Sequence, residues 1–271
     1  MNKERESELL QQLDAPAEGH FADVNGMEMY YETHGKPNDE RLPLFVLHGF
    51  SATSQAWKPR LPPFTEHFRV ILPDLRGHGR SSNPSGEFTH RQSAQDILAL
   101  ADHLGVDRFM AMGSSTGGMT LIHAATRSPD RIEALVLVAA TIYFPESARE
   151  IMRDSDPAKL TPEAIAQMRQ THLRSDDQVR DLRRQFYEFR NSYDDMNFTA
   201  PYLSTIQART LIVHGDRDQF FPVEIPMQMY AYIPNSYLWI LPNANHGPIA
   251  RDPDAFGHHA VEFLLGNWEN E

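Results

Sequence analysis

The chain has 271 residues, 41% of them hydrophobic and 23% charged, which suits one large α/β domain with a full core and excludes collagen-like and low-complexity classes. It contains no cysteine, so disulfide frameworks, thiolate metal sites and cysteine nucleophiles are excluded. The formal net charge of −12 sets nucleic acid and anionic membrane surfaces aside as partners.

Residues 1–19 are polar, with Leu9, Leu10 and Leu13 as the one apolar stripe, and are expected to form a tail. Their charged start has no apolar stretch behind it, and no later run approaches the roughly 20 apolar residues that span a bilayer. The expectation is a cytoplasmic protein with no signal peptide. Short strands are predicted over 27–34, 44–48, 68–73, 108–112, 134–140, 210–214 and 237–241. Several are unbroken apolar runs, such as Leu44-Phe45-Val46-Leu47, as expected of a parallel sheet buried on both faces. Amphipathic helices lie between them. One starts at Thr89, with Gln92 completing a capping box, and another runs from near Ser115 to Arg127 and stops before Pro129. Strand–helix alternation gives an α/β fold with right-handed crossovers.

The alternation breaks once. Residues 143–206 show only helical pattern, with a cap and first-turn proline at Thr161-Pro162 and a second capping box at Ser175 and Gln178. The chain therefore divides into a tail (1–19), a core (20–142 and 207–271) and an inserted helical cap (143–206), which is expected over the carboxyl ends of the strands.

The segment from Arg108 to Arg127 carries the clearest chemistry. It reads strand, then Gly113-Ser114-Ser115-Thr116-Gly117, then helix, which is the G-x-S-x-G frame in the sharp strand-to-helix turn that presents a nucleophilic serine. The frame selects Ser115. A serine needs a base, and the base needs an orienting acid. Two predicted strands end in Gly215-Asp216-Arg217-Asp218 and in Asn245-His246, so both loops leave the same end of the sheet as the elbow. Asp218 lies farther out than Asp216 and is the assigned acid, while Asp216 is read as a turn cap. Oxyanion donors are expected at the backbone N–H groups of Thr116 and of Phe50, which follows His48-Gly49. His123, His214, His258 and His259 are read as structural, and no histidine spacing recommends a metal site.

These residues, with Leu47-His48-Gly49-Phe50 and Asp74-Leu75-Arg76-Gly77-His78-Gly79-Arg80-Ser81, resemble the α/β-hydrolase superfamily over about residues 21–265. The resemblance implies an α/β-hydrolase fold, with a mostly parallel eight-stranded sheet flanked by helices and an inserted cap. It places the nucleophile, acid and base on Ser115, Asp218 and His246 and the oxyanion hole on Phe50 and Thr116, with no cofactor. It also implies that the Asp74–Arg80 loop buttresses the site floor. Serine at the elbow argues against the epoxide and dehalogenation branches, which carry aspartate there. Gly247 replaces the aromatic residue that often follows the base in carbon–carbon bond hydrolases. The cap and neighbouring loops are rich in aromatics, and Phe144, Phe186, Phe189, Phe220 and Phe221 are assigned to an apolar substrate pocket. The expected partner is a small-to-medium uncharged ester, cleaved through an acyl-enzyme. Alternatives on the same triad are carbon–carbon bond hydrolase, lactonase, perhydrolase and acyltransferase, and a different class is a non-catalytic ligand receptor. Oligomeric state is left open.

Overall fold

A computed structural model describes residues 19–35 and 41–270; the leucine stripe of the tail lies outside the described residues. Eight strands form one sheet: β1 (Gly19–Val24), β2 (Met27–His34), β3 (Leu44–Leu47), β4 (Val70–Pro73), β5 (Phe109–Ser114), β6 (Ile132–Val138), β7 (Arg209–Gly215) and β8 (Ser236–Leu241). Their order is β1-β2-β4-β3-β5-β6-β7-β8. β2 runs antiparallel to β1 and to β4, and the rest of the sheet is parallel. β1 has no counterpart among the strands predicted from sequence. It is an edge strand in which Ala22 and Val24 are the buried positions, and two small apolar residues leave little periodic signal.

The strands alternate their side chains between two cores. Phe45, Leu47, Ile71, Ala111, Leu135 and Leu137 face one side. Leu44, Val46, Val70, Met112, Val136 and Val138 face the other. The helices are α1 (Pro62–Thr65), α2 (His90–His103), α3 (Thr116–Arg127), α4 (Glu146–Asp154), α5 (Pro162–Met168), α6 (Asp176–Glu188), α7 (Ala200–Leu203), α8 (Glu224–Tyr232) and α9 (Pro253–Leu264). α2, α3 and α8 cover the first core, through residues such as Ile97, Leu121 and Met229. α1 and α9 cover the second, through Phe64, Phe256 and Phe263. No helix among the described residues is long and apolar enough to cross a membrane.

Between β6 and β7 lie α4 to α7, and the β-pairing described there is one isolated bridge, Tyr143 with Asn197. Ala148, Met152, Phe189 and Leu203 from this segment join the first core, so apolar burial seats it on the sheet. All three anticipated caps form, with Pro162 opening the helix after Thr161, but each of the two capping boxes is completed only by half. Thr89 Oγ1 accepts from Gln92 N at 3.0 Å, Thr161 Oγ1 from Ala164 N at 3.2 Å, and Ser175 Oγ from Gln178 N at 3.1 Å. The glutamine side chains, however, do not return to the cap residue. Gln92 Nε2 donates to Asp96 Oδ1 at 3.2 Å, and Gln178 Nε2 donates to the Gly77 and Gly79 carbonyls at 3.0 and 3.1 Å. The return bond of a capping box needs the glutamine Oε1 to accept the cap residue's amide; Gln178 Oε1 instead accepts the Arg174 amide at 3.1 Å.

Two buried carboxylates tie these parts together. Asp96 on α2 accepts Arg76 Nε and Nη2, both at 2.8 Å, and Asn25 Nδ2 at 3.0 Å, which anchors the 74–80 loop and the β1–β2 turn. Asp195, between α6 and α7, accepts the amides of His90 and Arg91 at the start of α2 at 2.7 and 3.1 Å and His90 Nδ1–H at 2.6 Å. Helix N-terminal amides favour a negative charge at this position. Burial alone would raise the Asp195 pKa, but the hydrogen bond and charge of His90 hold it at about 2, below its ordinary 3.8.

Two outcomes follow from these pairs. Asp96→Ala strands a buried guanidinium and should cost about 3–5 kcal/mol in urea unfolding; a loss below 1 kcal/mol would contradict the anchoring role. A carboxylate with a depressed folded pKa stabilises above its unfolded value and loses that contribution as pH falls through its folded one. For Asp195 the window runs from about 3.8 down to about 2, so Asp195→Asn should flatten the dependence of Tm on pH across it. An unchanged slope would show that the pair adds nothing to stability.

Candidate active site

β3 is followed by β4 on one side, and the chain then crosses to place β5 on the other side of β3. That reversal opens a crevice at the carboxyl ends of β3 and β5, the usual ligand position in open α/β sheets. Ser115 sits there at the end of β5 with φ 51° and ψ −116°, and its amide donates to the Val138 carbonyl at 2.8 Å. A positive φ is strained for a residue with a Cβ. It persists because α3 and the neighbouring strands pack closely around the turn: a Cβ on Gly113 would lie 2.4 Å from the Gly117 carbonyl carbon, and one on Gly117 would lie 2.5 Å from the Leu47 carbonyl oxygen. The glycines of the frame are therefore steric requirements of this turn.

The loops after β7 and β8 are laced together. Asp216 N donates to Leu241 O at 3.2 Å, Arg217 N to Ala244 O at 2.9 Å, and Ala244 N to Asp216 Oδ1 at 3.3 Å. Asp216 thus joins the two loops, and Asp218 is left to reach His246. The Asp218 side chain is fully buried. Its Oδ1 accepts the amides of Phe220 and Phe221 at 2.8 and 3.2 Å, and its Oδ2 accepts His246 Nδ1–H at 2.8 Å. A proton on Nδ1 leaves the Nε2 lone pair free, and Nε2 lies 3.0 Å from Ser115 Oγ. Phe220 and Phe221 pack on the His246 ring with centroids at 4.5 and 5.3 Å. The structure therefore brings Ser115, Asp218 and His246 into one hydrogen-bonded line.

His214, at the end of β7, is buried beside this line. Its Nε2 donates to the Phe221 carbonyl at 2.8 Å and lies 3.6 Å from Asp218 Oδ2. Burial pushes its pKa down, so it braces the loop as a neutral ring.

Phe50 and Thr116 line the same cavity as Ser115. Thr116 is the first residue of α3, where amides have no partner within the helix. Phe50 is oriented from behind. His48 Nε2 accepts the Leu75 amide at 2.9 Å, so its proton is on Nδ1, which donates to Gly49 O at 2.8 Å. Ala52 N donates to the same carbonyl at 3.2 Å. Gly49 C=O and Phe50 N–H belong to one planar trans peptide and point in opposite directions, so gripping the carbonyl fixes where the amide points. The 74–80 loop supplies the support: Asp74 accepts Ser54 N at 2.8 Å and Arg80 N at 2.9 Å.

The cavity has a volume of about 450 Å³, and all five anticipated aromatics, Phe144, Phe186, Phe189, Phe220 and Phe221, line it. Two arginines also line it, Arg60 and Arg183, and among the described residues no aspartate or glutamate does. Arg183 projects from α6, and its Nε is buried without a hydrogen-bond partner among the described residues. Arg183 is not among the site residues expected from the sequence, although Val179, Arg183 and Phe186 share one helix face at positions i, i+4 and i+7, and a cation on an apolar stripe is the signal that marks it. Among the described residues, no group of three or more His, Asp or Glu could hold a metal ion.

Comparison with known proteins places this geometry in a family. The model of the alpha/beta hydrolase fold matches residues 43–178. A soluble epoxide hydrolase of a Corynebacterium species is 36% identical over 119 residues, but the match covers 44% of this chain and only 40% of that protein. The 2-hydroxy-6-oxo-6-(2'-aminophenyl)hexa-2,4-dienoic acid hydrolase of Metapseudomonas resinovorans is 23% identical over 266 residues, covering 90% of each chain. The meta-cleavage product hydrolase of Pseudomonas fluorescens IP01 shares the fold with a TM-score of 0.75 at 21% identity, covering 92% of this chain and 98% of that one. The chain belongs to the α/β-hydrolase family and is a hydrolase.

Proposed function

We propose that the chain is a serine hydrolase that cleaves carboxylic esters through an acyl-enzyme, on substrates with a small-to-medium apolar body and one anionic group. The observation that carries this reading is the line from Ser115 Oγ through the His246 ring to Asp218, at 3.0 and 2.8 Å. In the proposed reaction the Ser115 proton passes to His246 Nε2 while Oγ bonds to the ester carbonyl carbon. The Phe50 and Thr116 amides receive the oxyanion, and Asp218 stabilises the charged ring. Collapse breaks the bond to the alcohol oxygen, which takes the proton from Nε2. Water then repeats the sequence on the acyl-enzyme, releasing the acid and restoring Ser115. Losing one oxyanion donor in such a site costs about 2.7–4 kcal/mol in the barrier.

The five phenylalanines support the apolar body. Arg183 supports the anionic group, because a guanidinium in an apolar wall with no carboxylate beside it gains most from a charged ligand. An anionic substrate replaces the uncharged ester expected from the aromatics of the cap, because Arg183 stands among them on the cavity wall. The acid named as substrate of the Metapseudomonas relative is consistent with an anion in this cavity.

Ser115→Ala should lower turnover by at least ~10³; near-wild-type hydrolysis would overturn the nucleophile assignment. In a matched pair of esters, one ending in a carboxylate and one in a methyl group, the carboxylate form should show the higher kcat/KM. Arg183→Met should narrow that gap by about tenfold or more, the range of a charged hydrogen bond. Preference for the neutral ester would remove the anionic group from the reading. A vinylogous diketo acid run beside both decides the bond cleaved, and faster turnover of it would replace ester by carbon–carbon hydrolysis.

A further inference from the structure

His172 lies in the inserted segment, between α5 and α6, yet its side chain is wholly buried against two loops of the core. Its Nδ1 accepts the Gly79 amide at 3.0 Å, so the ring proton is on Nε2, which donates to the Ser51 carbonyl at 3.3 Å. Burial holds the ring neutral by pushing its pKa down, the state in which one nitrogen accepts and the other donates. Ser51 directly follows Phe50 and has φ 59°, a strained conformation that persists only when its surroundings hold it.

The turn 49–52 is therefore gripped from both sides. From the core, His48 and Ala52 hold the Gly49 carbonyl. From the inserted segment, His172 holds the Ser51 carbonyl. The same stretch is stitched to the 77–80 loop by Leu173 N to Gly79 O at 3.0 Å, Gln178 Nε2 to Gly77 O at 3.0 Å, and Arg174 Nε to Arg80 O at 2.7 Å. Ring contacts run in the same direction: the His78 ring lies 5.9 Å from His172 and 4.8 Å from Phe50. The Phe50 ring also packs on Phe186 and Phe189 of the inserted segment, at 5.6 and 5.0 Å.

We propose that His172 is a positioning residue for the Phe50 oxyanion donor, so that seating of the helical segment on the core completes the oxyanion hole. His172 touches no reacting atom; it acts through the Ser51 carbonyl and the turn that carries the Phe50 amide. The proposal rests on the assignment of that amide as an oxyanion donor, made above. In consequence, the helical segment contributes to the chemical step as well as to the walls of the cavity.

The test compares His172→Ala, His172→Gln and His172→Asn with the wild-type chain. It measures kcat and KM on one ester and the rate at which a small dialkyl 4-nitrophenyl phosphate labels Ser115, since the P=O oxygen uses the same donors. Folding is checked by circular dichroism and Tm. His172→Ala should lose about tenfold in kcat and in labelling rate, with KM within about threefold, because a displaced donor costs less than the 10²–10³ of an absent one. Gln can extend an N–H donor to the depth of Nε2 and should recover most of the loss. Asn mimics only the acceptor at Nδ1 and should not. A folded Ala variant with wild-type kcat, a loss confined to KM, or equal recovery by Gln and Asn would each overturn the proposal. If the Ala variant does not fold, the Gln and Asn pair decides by the same criterion. Wild-type chain that resists labelling overturns the underlying serine assignment, and this proposal with it.

Discussion

The site depends on a buried carboxylate whose oxygens are both committed. Asp218 has no exposed side-chain surface, and each unmet hydrogen bond at such a charge would be costly. Two backbone amides meet one oxygen and the His246 ring meets the other. The ring therefore carries its proton on Nδ1 and turns its lone pair to Ser115. Among the described residues, Asp218 is the hydrogen-bond partner that holds the proton on Nδ1, and removing it removes the preference for that tautomer. The strained serine, the laced loops and the aromatic rings against His246 all serve to keep this line straight.

Much of this was legible in the sequence because it is local. A strand, five residues and a helix define the elbow, and two strand-end loops with one aspartate and one histidine define its partners. The choice of Asp218 over Asp216 follows from their distance along one loop, and the structure gives Asp216 a different task at Ala244. The edge strand β1 was not legible, since Ala22 and Val24 leave too little pattern. The second halves of the capping boxes were expected but do not form: Gln92 bonds to Asp96 one turn along its own helix, and Gln178 bonds to the Gly77 and Gly79 carbonyls, which meet it only in the folded chain. Arg183 left a trace, a cation on an apolar helix stripe, whereas His172 left none: its meaning lies in what surrounds it, and sequence spacing does not report surroundings.

Charge separates the cavity from the rest of the molecule. The chain is acidic, with a net charge of −12, yet the charged residues on the cavity wall are both arginines. A low-dielectric pocket with cations and no anions concentrates potential of one sign inside a molecule of the other sign. On the proposed function it would favour anionic ligands by direct contact at short range, while the surface would slow their approach at low ionic strength. Selectivity for an anion would thus come from Arg183 inside the cavity and not from long-range steering.

The helical segment between β6 and β7 joins these themes. It supplies Arg183 and three of the five phenylalanines to the cavity, places Asp195 at the start of α2, and sends His172 to the turn beside Phe50. The central claim, however, concerns one proton. Nitrogen-15 NMR of histidine-labelled protein, with the His246 signals identified by their loss in His246→Gln, reads its position directly. The account requires the neutral His246 ring to carry hydrogen on Nδ1 with Nε2 bare, and Asp218→Asn to disturb that arrangement. A neutral ring with hydrogen on Nε2, unchanged by loss of the carboxylate, would contradict it.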